Sequence, residues 1–297
     1  MSLVLTMMAD PAGRKLGDGD VLALRDVLRA LGCVVGEADW LAPGIACDLP
    51  FEGAEPETAE GVTREALGQA PFDVAAQPLA GRRKGLLIAD MESTIIAEEM
   101  LDELAETLGI RDEIAAVTAA AMRGELDFES ALEARVAKLA GMPVDVLEAA
   151  AERITLNPGA RSLISTLARA GVPTALVSGG FTVFTGKVAV LCGFDSHRSN
   201  QLESAEGRLT GRVLKPILGR EAKLEALRGL AREQGLDESG VCAVGDGAND
   251  LAMLRAAGLG VAYRAKPAVR EAARFSLDHA DLTGLLYMQG YRAREIV

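Results

Sequence analysis

The chain has 297 residues, a length that suits two domains, and 49% of them are apolar, which provides for a real core and argues against disorder. Its 31 basic residues against 43 acidic ones give a net charge of −12 with no basic stripe, which excludes a nucleic-acid binder, because phosphate backbones are held by clustered Lys and Arg. The longest uncharged stretch, Ala170–Gly186, is 17 residues long and is broken by Pro173 and four glycines, short of the roughly 20 apolar residues of a membrane span. Met1–Met8 has no basic residue before its apolar run and makes a poor signal peptide. Cys33, Cys47, Cys192 and Cys242 lie far apart without C-x-x-C spacing, which predicts buried thiols in a reducing, cytoplasmic compartment.

Residues 1–80 read as a small α/β unit with a βαβ start. Ser2–Met8 is a strand, Asp18–Leu31 a helix carrying Val21, Leu24, Val27, Leu28 and Leu31, and Cys33–Leu41 a second strand. Residues 50–62 are acidic and rich in turn formers, which predicts a loop. A short helix at Thr63–Leu67, stopped by Gly68, and a strand at Phe72–Ala76 complete the unit, and Gln77–Lys84 suits a linker.

Beyond the linker, residues 81–297 read as a second domain. Gly85–Ala89, Val172–Val177 and Val241–Val244 are short continuous apolar runs, as in strands buried on both faces of a parallel sheet, and Leu259–Tyr263 is a candidate fourth. Helical patterns at Pro158–Ala170 and Arg220–Gln234 lie between them. This alternation predicts a doubly wound α/β fold that binds ligands at the C-terminal ends of its strands. The insertion at about 97–154 is helical in pattern and suits a lid. Met100, Leu101, Leu104 and Leu108 make one apolar stripe and Phe128, Leu132, Val136 and Leu139 another. Ser199–Val213 reads as a hairpin turning at Glu206-Gly207.

Each buried strand ends in polar residues. The first leads into Asp90-Met91-Glu92-Ser93-Thr94, where residues two apart in an extended segment send two carboxylates to one site. The second ends in Ser178-Gly179-Gly180, a hydroxyl beside backbone that an anion can approach closely. The third ends in Gly245-Asp246-Gly247-Ala248-Asn249-Asp250, and Lys223 opens the helix between. Acids at two strand ends suit a hard cation such as Mg²⁺. A cation, a lysine, a hydroxyl and bare amides together suit a phosphoryl group. Singly, each has a plain structural alternative: a strand-end Asp is commonly a cap or turn former, a Gly-Gly pair a turn, and a helical Lys a solvated residue. The joint arrangement tips the balance.

Other motifs fail. Gly245-Asp246-Gly247 has Asp250 where a dinucleotide fingerprint needs its last glycine, and no P-loop Lys-Ser/Thr follows. Ser178 lacks the flanking glycine of a nucleophile elbow. His197 and His279 have no metal-ligand spacing.

Asp90-x-Glu92-x-Thr94, Ser178-Gly179-Gly180, Lys223 and Gly245-Asp246-Gly247-x-Asn249-Asp250 resemble the four motifs of the haloacid dehalogenase (HAD) superfamily of phosphatases. DMESTII followed by EEMLDELA, LDFESALEARV, VSGGF and AVGDGANDLAML resemble, more narrowly, the phosphoserine phosphatase family, over about residues 85–290. The resemblance implies a HAD-like core with a helical cap, and Mg²⁺-dependent hydrolysis of O-phospho-L-serine through an aspartyl-phosphate on Asp90. It implies Mg²⁺ held by Asp90, the Glu92 backbone carbonyl and Asp246, with Asp250 in support. Ser178, Gly179 and Lys223 would bind the phosphate, with Asn249 at the phosphate or its surroundings. Glu99 would receive the substrate ammonium, and Phe128 and Arg135 would close over the serine and bind its carboxylate.

The lid assignment has support of its own. Phe128 and Arg135 lie seven apart, on one face of a helix, and a guanidinium suits a carboxylate. One acid and one arginine suit a zwitterion better than a sugar or a nucleotide. Glu92 departs from the family pattern, which has Asp there to protonate the leaving alkoxide and then activate water. The extra methylene adds roughly 1.3–1.5 Å, and a misplacement on the order of 1 Å can cost about 10²-fold in rate. A slow but working phosphatase is therefore expected. Two alternatives stay open: a related phosphotransferase or phosphatase for another small phosphoester, and a non-catalytic protein that binds phosphoserine or serine. The N-terminal unit is left with three roles, as a serine sensor, as the contact of a homodimer or as a brace for the core.

Overall fold

The structure, a computed structural model, describes residues 2–122 and 125–297; residues 123 and 124 of the expected lid lie outside it. The N-terminal part comprises β1 (Leu3–Ala9), α1 (Asp18–Ala30), β2 (Val34–Val35), β3 (Asp39–Ala42), β4 (Ala46–Glu52), α2 (Pro56–Leu67) and β5 (Phe72–Pro78). Its strands form a sheet in the order β2-β4-β1-β5, with β3 also on β4, and every pairing is antiparallel. The βαβ expectation, which requires parallel strands, is thus corrected: β1 lies between β4 and β5. The sequence of α1 explains its limits. Asp20 accepts the Gly17 N–H at 2.9 Å at its start, Val21, Leu24 and Leu28 turn inward, and Gly32 follows at φ 92°.

Two further expectations for this region fail. The strand predicted over Cys33–Leu41 is interrupted after Val35: the Gly36 N–H still reaches the Pro50 carbonyl in register with β4, but Pro50 has no N–H with which to extend the ladder. The loop predicted at 50–62 is instead the end of β4 and the first half of α2. Pro56 starts that helix, and buried Glu60 is satisfied by Arg64, by Arg274 and by the Ala76 N–H. An acid paired in this way looks like a loop residue in a sequence. The predicted helix Thr63–Leu67 is the last turn and a half of α2, and Gly68 does end it.

The remainder contains β6 (Leu86–Ala89), α3 (Met100–Leu108), α4 (Arg111–Met122), α5 (Phe128–Ala137), α6 (Asp145–Ala151), α7 (Ala160–Arg169), β7 (Thr174–Phe181), α8 (Thr182–Cys192) and β8 (Ser196–Asn200). It continues with β9 (Leu202–Ala205), β10 (Arg208–Val213), α9 (Arg220–Glu233), β11 (Val241–Gly245), α10 (Leu251–Ala256), β12 (Leu259–Tyr263), α11 (Pro267–Ala272), β13 (Phe275–Leu277) and α12 (Gly284–Met288). The second sheet is wholly parallel, in the order β13-β12-β11-β6-β7-β8. Strand order reverses between β6 and β11, so the crevice for a ligand opens at their C-terminal ends.

The apolar runs are continuous because both faces are covered. Leu87 and Ala89 join Leu163, Leu167 and Val188 on one side, while Leu86 and Ile88 join Leu227, Leu230 and Met253 on the other. The four helices α3–α6 form the insertion after β6. The β9–β10 hairpin joins them, with the Gly141 N–H on the Leu209 carbonyl and the Leu209 N–H on the Met142 carbonyl, each at 2.8 Å.

The N-terminal sheet is buried on both faces. Leu5 and Met7 face α1 and α2, while Met8, Ala42, Ala46 and Ala75 join the core cluster that holds Leu282, Leu285, Leu286 and Met288. Polar groups fix the docking. Buried Asp73 accepts the N–H groups of Asp278, His279 and Ala280 at 2.9, 3.0 and 2.7 Å, and Gln77 Nε2 donates to the Met288 carbonyl at 2.7 Å. The expected linker Gln77–Lys84 is short and held: Gln77 and Pro78 finish β5, Arg82 pairs with buried Asp48 at 2.7 Å, and the Lys84 N–H meets Gln289 Oε1 at 2.9 Å.

Candidate active site

Buried Lys223, in the first turn of α9, anchors the site at the crevice. Its Nζ lies 2.8 Å from Asp90 Oδ1 and 2.6 Å from Asp250 Oδ1. Burial alone would lower its pKa, but the two carboxylates outweigh this and hold it above the ordinary lysine value. Asp90 follows β6 and accepts the Met91 N–H at 2.8 Å. Asp250 accepts the Gly247 N–H at 3.0 Å across the turn after β11. Gly245 must be glycine, because a Cβ there would lie 2.4 Å from the Asp250 carboxyl carbon.

Asp90, Asp246 and Asp250 each place a carboxylate oxygen within 4.8 Å of the others. The repulsion is visible in the protonation of Asp90 and Asp246. Burial and the Asp250 charge push Asp90 well above the ordinary carboxylate range, and the same causes, with Glu99, push Asp246 up to about 6. One lysine does not balance three carboxylates. An all-oxygen set of this kind fits a hard divalent cation, and among the described residues these three acids could hold it.

Glu92 behaves differently from the expectation. The strand ends at Ala89 and the chain then turns, with Ser93 at φ 52°, so Asp90 and Glu92 are not successive residues of one extended face. The Asp90 carboxylate joins the acidic cluster, whereas Glu92 Oε1 accepts the Met100 N–H at the start of α3 at 2.9 Å. Burial and the Glu99 charge raise Glu92 to about 7, partly offset by that N–H. A Cβ at Gly180 would lie 3.1 Å from Glu92 Oε2, so this glycine makes room for the longer acid.

The other predicted residues gather around this pair. Ser178, at the end of buried β7, turns its Oγ to the Gly180 N–H at 2.9 Å. Glu99 accepts the Ser93 hydroxyl at 2.7 Å. Arg135 carries its guanidinium into the field of Asp102, Glu92 and Glu99, and burial holds its pKa below the ordinary value against them. Phe128 does not continue the apolar stripe of α5: Leu132, Val136 and Leu139 are buried, whereas Phe128 is 37% exposed. Its ring lies over two glycines, with Cζ 3.4 Å from a Cβ placed on Gly179 and Cδ1 3.3 Å from one on Gly219. Asn249 folds back over Gly247.

Thr94 stands in the first motif without a role; it is buried and donates to Asp246 Oδ1 at 3.4 Å. Two further residues escaped the sequence reading. Asn157 spans the neck of the insertion, with Nδ2 on the Thr94 and Ile96 carbonyls at 2.8 and 3.0 Å; its place before Pro158-Gly159 was the available signal. Asn200 ends β8, a polar edge strand that carries no apolar signature.

A doubly wound sheet with a lysine-bridged pair of aspartates at its switch point, under an inserted helical lid, defines a hydrolase of the HAD type. The model of haloacid dehalogenase-like hydrolases matches residues 87–255, and the chain belongs to that family. It is 45% identical over 257 residues to a phosphoserine phosphatase of Streptomyces coelicolor, covering 86% of this chain and 62% of that protein. It is 46% identical over 295 residues to phosphoserine phosphatase SerB2 of Mycobacterium tuberculosis, covering 96% of this chain and 71% of that one. A probable phosphoserine phosphatase from Vibrio cholerae, solved unliganded, superposes with a TM-score of 0.81 at 32% identity, covering 99% of this chain and 88% of that one.

Proposed function

We propose that the chain hydrolyses O-phospho-L-serine to L-serine and phosphate, with Asp90 as nucleophile. The observation that carries this reading is the pairing of opposite charges beside Glu92: Glu99 and Arg135, both of the lid segment, act on that acid together. An acid and a guanidinium at the edge of the site suit the ammonium and carboxylate of an amino-acid phosphoester.

In the first step an Asp90 carboxylate oxygen attacks phosphorus, and the bond from phosphorus to the serine oxygen breaks. Glu92, protonated near neutrality, gives its proton to the departing alkoxide. In the second step Glu92 takes a proton from water, which attacks the aspartyl-phosphate and releases phosphate and free Asp90. Ser178, the Gly179 amide and Lys223 bind the phosphate oxygens, with Asn249 beside them, and Phe128 closes the lid over the substrate. When bound, Mg²⁺ would be held by Asp90, the Glu92 backbone carbonyl and Asp246, with Asp250 in support, and would offset charge on the phosphoryl oxygens.

No helix among the described residues is long and apolar enough to cross a membrane. With four free, buried cysteines, a cytoplasmic setting is the compatible one. Phosphate release from O-phospho-L-serine with Mg²⁺, beside an Asp90→Asn control, tests the reading. Metal-dependent release that disappears in the control is the expected outcome, and no release from folded protein overturns it. A new phosphoester formed on adding an acceptor alcohol would reassign the protein as a phosphotransferase.

A further inference from the structure

The phosphate-binding loop and the lead into the lysine helix belong to different parts of the chain. Ser178-Gly179-Gly180 closes β7, whereas Leu218 and Gly219 precede α9, which carries Lys223. One buried side chain joins them. Asn200 is 1% exposed; its Nδ2 donates to the Gly179 carbonyl at 2.8 Å and to the Leu218 carbonyl at 3.3 Å, and its Oδ1 accepts the Leu218 N–H at 2.7 Å. Two carbonyls on one side and an N–H on the other fix the orientation of the amide. Its backbone is held as well, because the Thr182 hydroxyl donates to the Asn200 carbonyl at 3.0 Å and Asn200 stands opposite Phe181 across β7–β8.

We infer that Asn200 is a positioning residue that sets the distance between the Gly179 amide and Lys223 and makes Gly179 and Gly219 one floor for the Phe128 ring. The inference rests on the phosphatase reading above. The ring reaches both glycines at once, so a relative slide of the two segments would tilt it and would separate two of the groups assigned to the phosphate. Among the described residues, the ion pairs that tie the segment before α9 to the lid are those of Lys215 with Glu133 and Glu129 of α5, at 2.7 and 3.4 Å and largely exposed. Exposed pairs of this kind hold geometry weakly. Asn200 makes the buried connection.

The test compares Asn200→Asp and Asn200→Ala with the wild type and with Asp195→Asn. Asp195 accepts the Thr174 N–H at 2.8 Å at the far end of β7, so its variant loosens the same strand away from the site. Affinity for inorganic phosphate in the presence of Mg²⁺ is read by calorimetry, kcat and KM with O-phospho-L-serine, and Tm by thermal unfolding. Expected for both Asn200 variants are a phosphate Kd raised about tenfold and a kcat lowered ~10–100-fold, with both values near wild type in Asp195→Asn at a similar loss of Tm. Asn200→Asp turns a carboxylate oxygen toward two carbonyls and should be the worse of the two. If it does not fold, Asn200→Ala decides. Folded Asn200 variants with wild-type phosphate affinity and kcat, or losses matched by Asp195→Asn, overturn the role of Asn200 and leave the phosphatase reading standing. A wild type that neither binds phosphate nor hydrolyses the ester overturns both.

Discussion

Glu92, in the loop after β6, accepts the Met100 N–H at 2.9 Å, so the acid assigned to proton transfer also satisfies the N-terminus of the lid's first helix. Glu99, the residue before that helix, provides no side-chain cap of its own. An aspartate at 92 is shorter by about one C–C bond, roughly 1.5 Å, and would leave that N–H. The extra methylene thus has a physical use: it carries the carboxylate from the core to the lid.

Glu92→Gln should keep the contact with Met100 and lose the proton. Phosphate release is expected to fall ~10²–10⁴-fold, the usual range for a general acid or base, with KM within about threefold of wild type. Glu92→Asp should retain activity within roughly tenfold but loosen α3, seen as faster amide exchange at Met100. Steady-state kinetics and hydrogen exchange check the pair.

The raised Glu92 pKa gives a signed prediction for stability. The folded protein holds this proton up to about pH 7, whereas an unperturbed glutamate releases it near 4.5. Between those values the folded state binds more protons than the unfolded chain, so stability falls as pH rises through the window. Glu92→Gln removes the effect. In chelator it should be more stable than wild type at pH 8, by on the order of 1–3 kcal/mol, and equal to it near pH 4. Urea unfolding at the two pH values measures the difference.

Lys223→Met leaves Asp90 and Asp250 without their shared ammonium. Breaking a buried pair from one side costs ~3–5 kcal/mol, and part of this should return when Mg²⁺ is added, because a cation then relieves the same carboxylates. Phosphate release should drop by at least ~10²-fold. Unfolding curves with and without Mg²⁺ and an endpoint phosphate assay test both statements.

Asp246 ionises near pH 6 and Asp90 higher than an ordinary carboxylate in the absence of a cation. Divalent metal binding should therefore expel protons at pH 6 and fewer at pH 8, where Asp246 is already ionised. Calorimetric titration with Mg²⁺ in buffers of different ionisation enthalpy counts them. A proton release independent of pH would contradict the assignment.

Asp73→Ala strands the N–H groups of Asp278, His279 and Ala280. A loss of roughly 3 kcal/mol is expected, with little change in KM because these groups lie away from the substrate site. Removing residues 1–80 should do more. It bares Leu282, Leu285, Leu286 and Met288, and the product should be insoluble, not merely unregulated. A soluble, active fragment would show that the unit does not brace the core.

The core of the site was legible because its signals are local. A continuous apolar run followed by Asp90, by Ser178-Gly179 or by Asp246 announces a buried strand and its polar end within a few residues, and the structure brings those ends together. What stayed hidden depends on distant partners. Glu60 reads as a solvated acid until Arg274 and the Ala76 N–H are seen beside it. Strand β8, Ser-His-Arg-Ser-Asn, has the polar face of an edge strand, and its Asn200 matters only through Gly179 and Leu218. Phe128 fits an apolar stripe by spacing, yet the two glycines opposite make it a lid residue.

The burial of the N-terminal sheet against residues 280–291 also bears on the order of folding. During synthesis β1 emerges long before its companions in the cluster, Leu285, Leu286, Met288 and Tyr291. Until then one apolar sheet face has nothing to cover it, whatever the state of the parallel sheet between. Contacts of such long sequence separation form slowly and leave intermediates prone to aggregation. Production of the protein should therefore depend on temperature and on chaperone supply more than its final stability would suggest.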